Sequence, residues 1–184
     1  MAHLPNTRMA LVGFAITALD QATKFFVRDY LGDQPYLREK IVIDGFFRLV
    51  HWGNTGAAWS LFHNNNELLT IVSLVALLVL FLNRRHFDAH LPLGQLSLGL
   101  IFGGIIGNLM DRINVGHVTD FLYFYVNRRS GGELGFPAFN VADSAICVGV
   151  GLLFILSWKK QPNEPVALPV ASPASAVASD KAAP

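Results

Sequence analysis

The chain has 184 residues, of which 52% are hydrophobic and only 15% are charged, with a formal net charge of +1. This composition is too apolar for an ordinary soluble domain. The small net charge gives no general basic field, and no run of Lys or Arg is long enough to bind nucleic acid. Nucleic-acid-binding proteins are therefore excluded, and one compact membrane domain is favoured.

Four apolar blocks are long enough to cross a membrane as helices, because about 18 residues rise through most of a hydrocarbon core of about 30 Å. They cover residues 9–27, 68–82, 93–110 and 141–158. The sequence thus predicts an all-α membrane protein with a single domain over residues 1–161. Within the first block, the apolar run 9–19 is followed by the polar run DQATK without a small-x-small cleavage site, so we interpret the block as a retained anchor.

Basic residues near the span ends predict the orientation of the helices. They are Arg8, Arg84, Arg85, Lys159 and Lys160. Since such residues favour the cytoplasmic side, both termini are expected there. Loops 28–67 and 111–140 are then expected on the opposite side of the membrane.

The segments outside the spans differ in character. Residues 41–52 and 121–126 are rich in β-branched and aromatic residues and precede glycine turns, which predicts short strands at the membrane surface. Residues 162–184 are rich in Pro, Ala and Ser, and we expect them to be disordered and dispensable. An interfacial belt, or a lid over a lateral cleft, is predicted for the aromatic residues of the first loop, Phe46, Phe47, Trp52, Trp59 and Phe62.

Small residues in the last two spans predict close helix packing. A ridge of glycines allows two membrane helices to approach closely. The single cysteine, Cys147, has no partner for a disulfide within the chain, and we assign it to packing as well. The glycines concerned are Gly99, Gly103, Gly107, Gly149 and Gly151.

Four acids lie at outer span ends or in the loop between the third and fourth spans, where a carboxylate is costly and usually has a partner or a task. Asp20 precedes Lys24 by four residues, the favourable order for a helical ion pair. Asp111 is followed by Arg112, which we expect to neutralise it beyond the helix end. These two acids have structural interpretations.

The other two acids, Asp120 and Asp143, have no cation within four residues. Asp120 lies in an apolar segment that should raise its pKa by desolvation. Asn140 is predicted to cap the last span, with Asp143 stabilised by the helix dipole. Two such acids can share a proton, as in aspartic proteases, where one deprotonates water and the other hydrogen-bonds the scissile carbonyl. A proton relay remains an alternative.

Polar groups beside these acids could hold an extended peptide. Each also has a structural explanation as a cap, a turn or an interfacial residue. They are Asn54, Asn108, Arg112 and Asn140. The six histidines lack an HExxH pattern and fall on both sides of the membrane, and no GxSxG segment is present, so neither a metal site, another cofactor nor a serine triad is expected.

Five ordered segments resemble the signature segments of the lipoprotein signal peptidase family, the type II signal peptidases. They are DQATK at 20–24, NTGAAW at 54–59, GNLMDR at 107–112, VTDF at 118–121 and FNVADS at 139–144. The resemblance implies an aspartyl endopeptidase of the bacterial inner membrane that cuts before the diacylglyceryl-modified cysteine of prolipoproteins. It implies Asp120 and Asp143 as the catalytic pair. Substrate contacts are implied for Asn54, Asn108, Arg112 and Asn140, and supporting roles for Asp20, Lys24, Gly56 and Asp111.

The resemblance also implies a small β-sheet cradle on the periplasmic face, inhibition by the cyclic peptide globomycin and contact with membrane lipids. We expect a monomer. Trp59 stands where the family more often has Phe. A small proton-coupled transporter or assembly factor using the same acids is the competing hypothesis, but the polar residues cluster at one face and no internal repeat is visible. A purely structural scaffold would leave the acids unexplained.

Overall fold

The computed structural model describes residues 6–56, 65–87 and 89–159. Its four helices are each long and apolar enough to cross a membrane, which confirms the four predicted helices. Each observed helix extends slightly beyond its predicted block. The helices are α1 (Thr7–Leu31), α2 (Asn66–Asn83), α3 (Pro92–Asn114) and α4 (Val141–Lys159). The predicted tail, Trp59 and Phe62 lie outside the described residues.

A small antiparallel sheet, also expected, lies between the helices in sequence. Its strands pair in chain order: β1 (Glu39–Ile43), β2 (Phe47–Asn54), β3 (Val118–Asn127) and β4 (Glu133–Gly135). The segment 41–52, predicted to form short strands, is divided by a turn at Gly45, whose φ of 71° suits glycine. The three-residue β4 follows the turn at Gly131 and Gly132 and was not predicted.

Helix α3 is the centre of the bundle, because α1 and α4 both pack along it. A Cβ atom at Gly103 would lie 2.6 Å from the carbonyl oxygen of Gly13, and one at Gly149 would lie 2.7 Å from that of Ser97. The predicted packing role of these glycines is confirmed, as it is for Gly99 and Gly107, where a Cβ would meet α1 atoms equally closely.

Two packing predictions for α4 are wrong. A Cβ at Gly151 would meet no atom within 4 Å, and Cys147 is exposed. Helical geometry explains both results. Gly149 faces α3, and residues two positions before or after it point about 200° away.

An apolar cluster fixes the sheet to one end of the bundle. Val27 and Leu31 at the end of α1 pack with Phe121 of β3, and Val141 at the start of α4 joins them. In α2, which is described in full, Leu69 alone is buried. The sheet therefore covers the end at which α1 ends and α4 begins, and this is where the polar residues gather.

Candidate active site

Carboxyl and amide side chains from the helices and the sheet meet where β2 and β3 cover the end of the helix bundle. The structure connects all ten residues that the sequence singled out, through hydrogen bonds or ion pairs. They are Asp20, Lys24, Asn54, Gly56, Asn108, Asp111, Arg112, Asp120, Asn140 and Asp143. The predicted convergence of the four acids is thereby confirmed as geometry.

Asp120 lies on β3, opposite Trp52 of β2, and its side chain is almost fully buried. Its two carboxyl oxygens accept hydrogen bonds from the side-chain amides of Asn54, at 2.9 Å, and Asn140, at 2.8 Å. Burial, and after it the charge of Asp143, raises the pKa of Asp120 to about 7, while the two amide donors act in the opposite direction. Near neutral pH this acid can therefore hold or release a proton.

Asp143 lies in the first turn of α4, where Asn140 caps the helix as predicted. The Asp143 amide donates to Asn140 Oδ1 at 3.0 Å, and the Asn140 amide donates to Asp143 Oδ2 at 3.2 Å. This reciprocal pair is a capping box with Asp in the place of Glu. The other oxygen of Asp143 accepts a bond of 2.7 Å from Asn108 Nδ2. Both oxygens of the carboxyl group are thus held in position.

Asn140 joins the two acids. Its backbone amide contacts Asp143, and its side-chain amide donates to Asp120 while also lying 3.2 Å from Asn108 Oδ1. Because Asn140 is fully buried, this bridge is fixed. Asp120 and Asp143 come from different elements, and both bond to Asn140, so the charge of one carboxyl group acts on the other.

A buried charge cluster lies directly behind the pair. Lys24 Nζ is 2.8 Å from Asp20, 3.2 Å from Asp111 and 2.9 Å from Asn108 Oδ1, and it is fully buried. The predicted ion pair of Asp20 with Lys24 is confirmed. Since a Lys ammonium group only donates, the oxygen of Asn108 faces Lys24 and its NH₂ group must face Asp143.

The ion-pair partners of Asp111 among the described residues are Lys24 and Arg28, and the adjacent Arg112 acts on Asp111 only as a more distant charge. Helix α3 continues to Asn114, so consecutive side chains point about 100° apart and only Asp111 faces α1. Asp111 pairs with Lys24 and, at 3.6 Å, with Arg28.

Sequence reasoning missed three contributors to this cluster. Gln21 Nε2 donates to Asp111 at 3.3 Å. Arg28 donates to Thr119 Oγ1 at 3.1 Å, and the Thr119 amide donates to Asp111 at 2.9 Å. The spacing of Arg28, four residues after Lys24, places both on one face of α1 and was the available signal for Arg28.

Arg112 lies on another side of the acid pair. Its Nη2 is 3.4 Å from the carbonyl oxygen of Gly56, whose own amide donates to Asn54 Oδ1 at 2.9 Å. Its Nε is buried and has no hydrogen-bond partner among the described residues. Arg112 therefore keeps donor capacity next to Asn54.

Comparison with known proteins identifies the family. The sequence profile described as signal peptidase II matches residues 12–159. A lipoprotein signal peptidase of Desulforapulum autotrophicum is 45% identical over 164 residues, which is 85% of this chain and 95% of the relative. One from Geobacter metallireducens is 40% identical over 154 residues, covering 81% of this chain and 90% of the relative.

A solved structure agrees in fold with this chain. It is described as a bacterial membrane enzyme determined by the in meso method at 2.3 Å resolution. The two chains are 29% identical with a TM-score of 0.65, over 85% of this chain and 90% of the other. Together with the profile and the relatives, this similarity leads to one conclusion: the chain belongs to the signal peptidase II family.

Proposed function

We propose that this protein is a membrane aspartyl endopeptidase that removes the signal peptide from diacylglyceryl-modified prolipoproteins, cutting just before the lipidated cysteine. Membership of the family supports the substrate class. The observation that carries the chemistry is the bridge through Asn140, which holds Asp120 and Asp143 together while burial raises the pKa of Asp120 to about 7.

Asp143 and Asp120 then divide the chemistry of hydrolysis. Ionised Asp143 takes a proton from the attacking water, while protonated Asp120 donates a hydrogen bond to the scissile carbonyl oxygen. Water oxygen bonds to the carbonyl carbon, and the tetrahedral intermediate collapses when the C–N bond breaks. The departing nitrogen takes the proton that Asp143 received from the water and becomes the amino group of the lipidated cysteine. The pair again shares one proton.

The remaining site residues position the substrate and the pair. Asn54, Asn108 and Asn140 orient the carboxyl groups through the hydrogen bonds described above, and Arg112 offers donors to a peptide carbonyl. Supporting roles fall to the buried cluster behind them and to the turn beside Asn54: Asp20, Lys24, Asp111 and Gly56. Globomycin, a cyclic peptide, is proposed to compete for the same donors.

The proposed location is the bacterial inner membrane, with both termini in the cytoplasm and the acid pair toward the periplasm. Arg8, Arg84 and Arg85 lie at the helix ends away from the sheet, where the positive-inside rule favours the cytoplasm. A monomer suffices, since one chain supplies both acids. Residues 1–161 form the proposed peptidase domain.

The test incubates the detergent-purified protein with a diacylglyceryl-modified prolipoprotein and with its unmodified form. We expect cleavage of the modified form alone. Asp120→Asn and Asp143→Asn should each lower turnover by about 1,000-fold, because Asn cannot exchange the proton. Asp29→Asn, which changes an exposed acid of α1, is the matched control.

Near-normal turnover in either variant of the pair would rule out the two-aspartate mechanism. If the wild-type protein cleaved neither substrate, the proton-coupled transporter would become the better hypothesis.

A further inference from the structure

Two cavities outside the acid site lie along α1: one extends from Met9 to Thr17 of this helix, and the other lies at the end of the bundle opposite the acid pair. The first is an apolar groove of about 350 Å³ between three helices, lined among others by Ala10 of α1, Phe81 of α2, and Phe102 and Ile106 of α3. The second has a volume of about 390 Å³ and includes two arginines in its lining. Its lining residues are Asn6, Arg84, Arg85, Ala89 and His90.

We treat the two cavities as one candidate site, which we call the α1–α2 cleft, because residues of the two linings contact each other. The guanidinium carbon of Arg84 lies 4.3 Å from the centre of the Phe81 ring, so one residue of each cavity contacts the other. On the α1 side, the amide of Ala10 donates to the carbonyl oxygen of Asn6 at 3.0 Å. The cleft therefore runs from a basic mouth into an apolar interior.

The charge at the mouth is uncompensated by the described residues. Neither Arg84 nor Arg85 forms an ion pair with any residue that the structure describes. Segment 83–91 contains two arginines and one acidic residue, Asp88, so its formal charge is positive. Arg84 uses Nη1 to bond the carbonyl oxygen of Phe81 at 2.7 Å, which fixes its guanidinium group over the groove.

We propose that the α1–α2 cleft binds an anionic phospholipid, with the phosphate at Arg84 and Arg85 and one acyl chain in the groove. Basic pockets between membrane helices on the cytoplasmic side bind anionic head groups. A neutral lipid would use the groove but bring no anion to the two arginines. The mouth of the cleft lies about 14 residues, or about 21 Å, along α1 from Asp20, so the bound phosphate is remote from the acid pair.

The choice of occupant can be tested by native mass spectrometry of the full-length protein. The protein is titrated with phosphatidylglycerol, phosphatidylethanolamine and diacylglycerol that carry the same acyl chains. Phosphatidylglycerol should bind most tightly. Glycerol 3-phosphate alone should not bind measurably, because it lacks the chain. Equal affinity for diacylglycerol or phosphatidylethanolamine would overturn the proposal.

Charge variants test the mouth of the cleft. Each arginine should contribute about fivefold to phosphatidylglycerol affinity, so the double variant Arg84→Gln, Arg85→Gln should bind about 25-fold more weakly. The matched control is Arg128→Gln, Arg129→Gln, an adjacent exposed pair on the turn between β3 and β4. A similar loss of binding in the control would show general charge attraction and contradict a specific site.

A bulky substitution that fills the groove tests whether an acyl chain binds there. Ala10→Phe occupies the groove from an exposed position of α1, and Val148→Phe adds a ring to an exposed position of α4 as the control. Only Ala10→Phe should lose phosphatidylglycerol binding, with equal melting temperatures of both variants in lipid-free detergent. Unchanged binding by Ala10→Phe would contradict the proposal. Since neither cavity contains the acids, failure here leaves the proposed peptidase untouched.

Discussion

At the scale of single residues, Asp120 sets the expected pH dependence of the enzyme. Burial and the charge of Asp143 raise its pKa to about 7, well above the ordinary value of 3.8. In the proposed mechanism, Asp120 below that pH holds the proton that hydrogen-bonds the scissile carbonyl oxygen, and above it the proton is lost. Activity should therefore fall as the pH rises through about 7.

In the unfolded chain, Asp120 would titrate near its ordinary pKa of 3.8. Its contribution to the free energy of unfolding therefore also decreases as the pH rises from 3.8 to about 7.

Asn54→Ala should move this alkaline limit upward. The variant removes the 2.9 Å hydrogen bond that lowers the pKa of Asp120, so the proton is retained to higher pH. The measurement is kcat/KM against pH for the wild type, Asn54→Ala and the control Asn127→Ala, an exposed residue at the end of β3. A limit that stays in place, or moves downward, would show that another group controls it.

Asp20→Asn should act mainly through stability. Lys24 would lose one of its two buried carboxylates, and such a loss costs about 3 kcal/mol. We expect a lower melting temperature in detergent, with turnover per folded molecule largely kept. Asp33→Asn, at an exposed position, is the control. A normal melting temperature combined with lost turnover would mean that Asp20 takes part in the chemistry.

Only part of this residue network was predictable from the sequence. The ion pair of Asp20 with Lys24 and the cap by Asn140 depend on spacing within one helix, and both predictions were correct. The partner of Asp111 depends on how α1 and α3 pack. Residue spacing within one helix does not predict such a contact between two helices. Adjacency in sequence favoured Arg112, whereas the packing selected Lys24 and Arg28.

At the scale of elements, α3 brings the site residues together because its glycines admit the neighbouring helices. Gly103 and Gly107 lie against α1, and Asn108 is the residue directly after Gly107. Thr17 Oγ1 donates to the carbonyl oxygen of Gly103 at 3.1 Å, which fixes the alignment of the two helices. The distance between α1 and α3 therefore determines where the amide of Asn108 lies.

Gly103→Ala should separate α1 from α3 and weaken both folding and activity. The new Cβ would lie 2.6 Å from the Gly13 carbonyl oxygen and 2.8 Å from Ile16 Cβ, so overpacking of about 1–3 kcal/mol is expected. Gly151→Ala adds the same methyl group where no atom lies within 4 Å, and should be neutral or slightly stabilising. Melting temperatures and turnover of the two variants check this, and equal behaviour would contradict the packing argument.

The strands of the sheet differ in how well the sequence predicts them. Strands β1 to β3 are marked by β-branched and aromatic runs, whereas β4 has three exposed residues and no such pattern. Side-chain contacts hold it instead: Arg48 pairs with Glu39 and Glu133, and Tyr123 donates to Glu133 at 2.9 Å. These contacts arise only after β2 and β3 have paired, so local composition does not reveal them.

At the scale of the whole molecule, the proposed topology can be tested with reporter fusions. Fusions within residues 83–91 or after Lys160 should report the cytoplasm, because Arg84, Arg85, Lys159 and Lys160 flank these positions. Fusions within loops 28–67 and 111–140 should report the periplasm. A periplasmic signal after Lys160 would contradict the arrangement with both termini in the cytoplasm.

One hydrogen bond links the first helix to the last. The backbone amide of Ala142, in the first turn of α4, donates to Asp20 Oδ1 of α1 at 3.0 Å, across 122 positions of the chain. The ion pair of Asp20 with Lys24 lies within α1, whereas this acceptor is filled only after α4 has been synthesised. Asp143 arrives with that same helical turn. A chain that ends before α4 therefore lacks both this hydrogen bond and one of the two acids of the proposed catalytic pair.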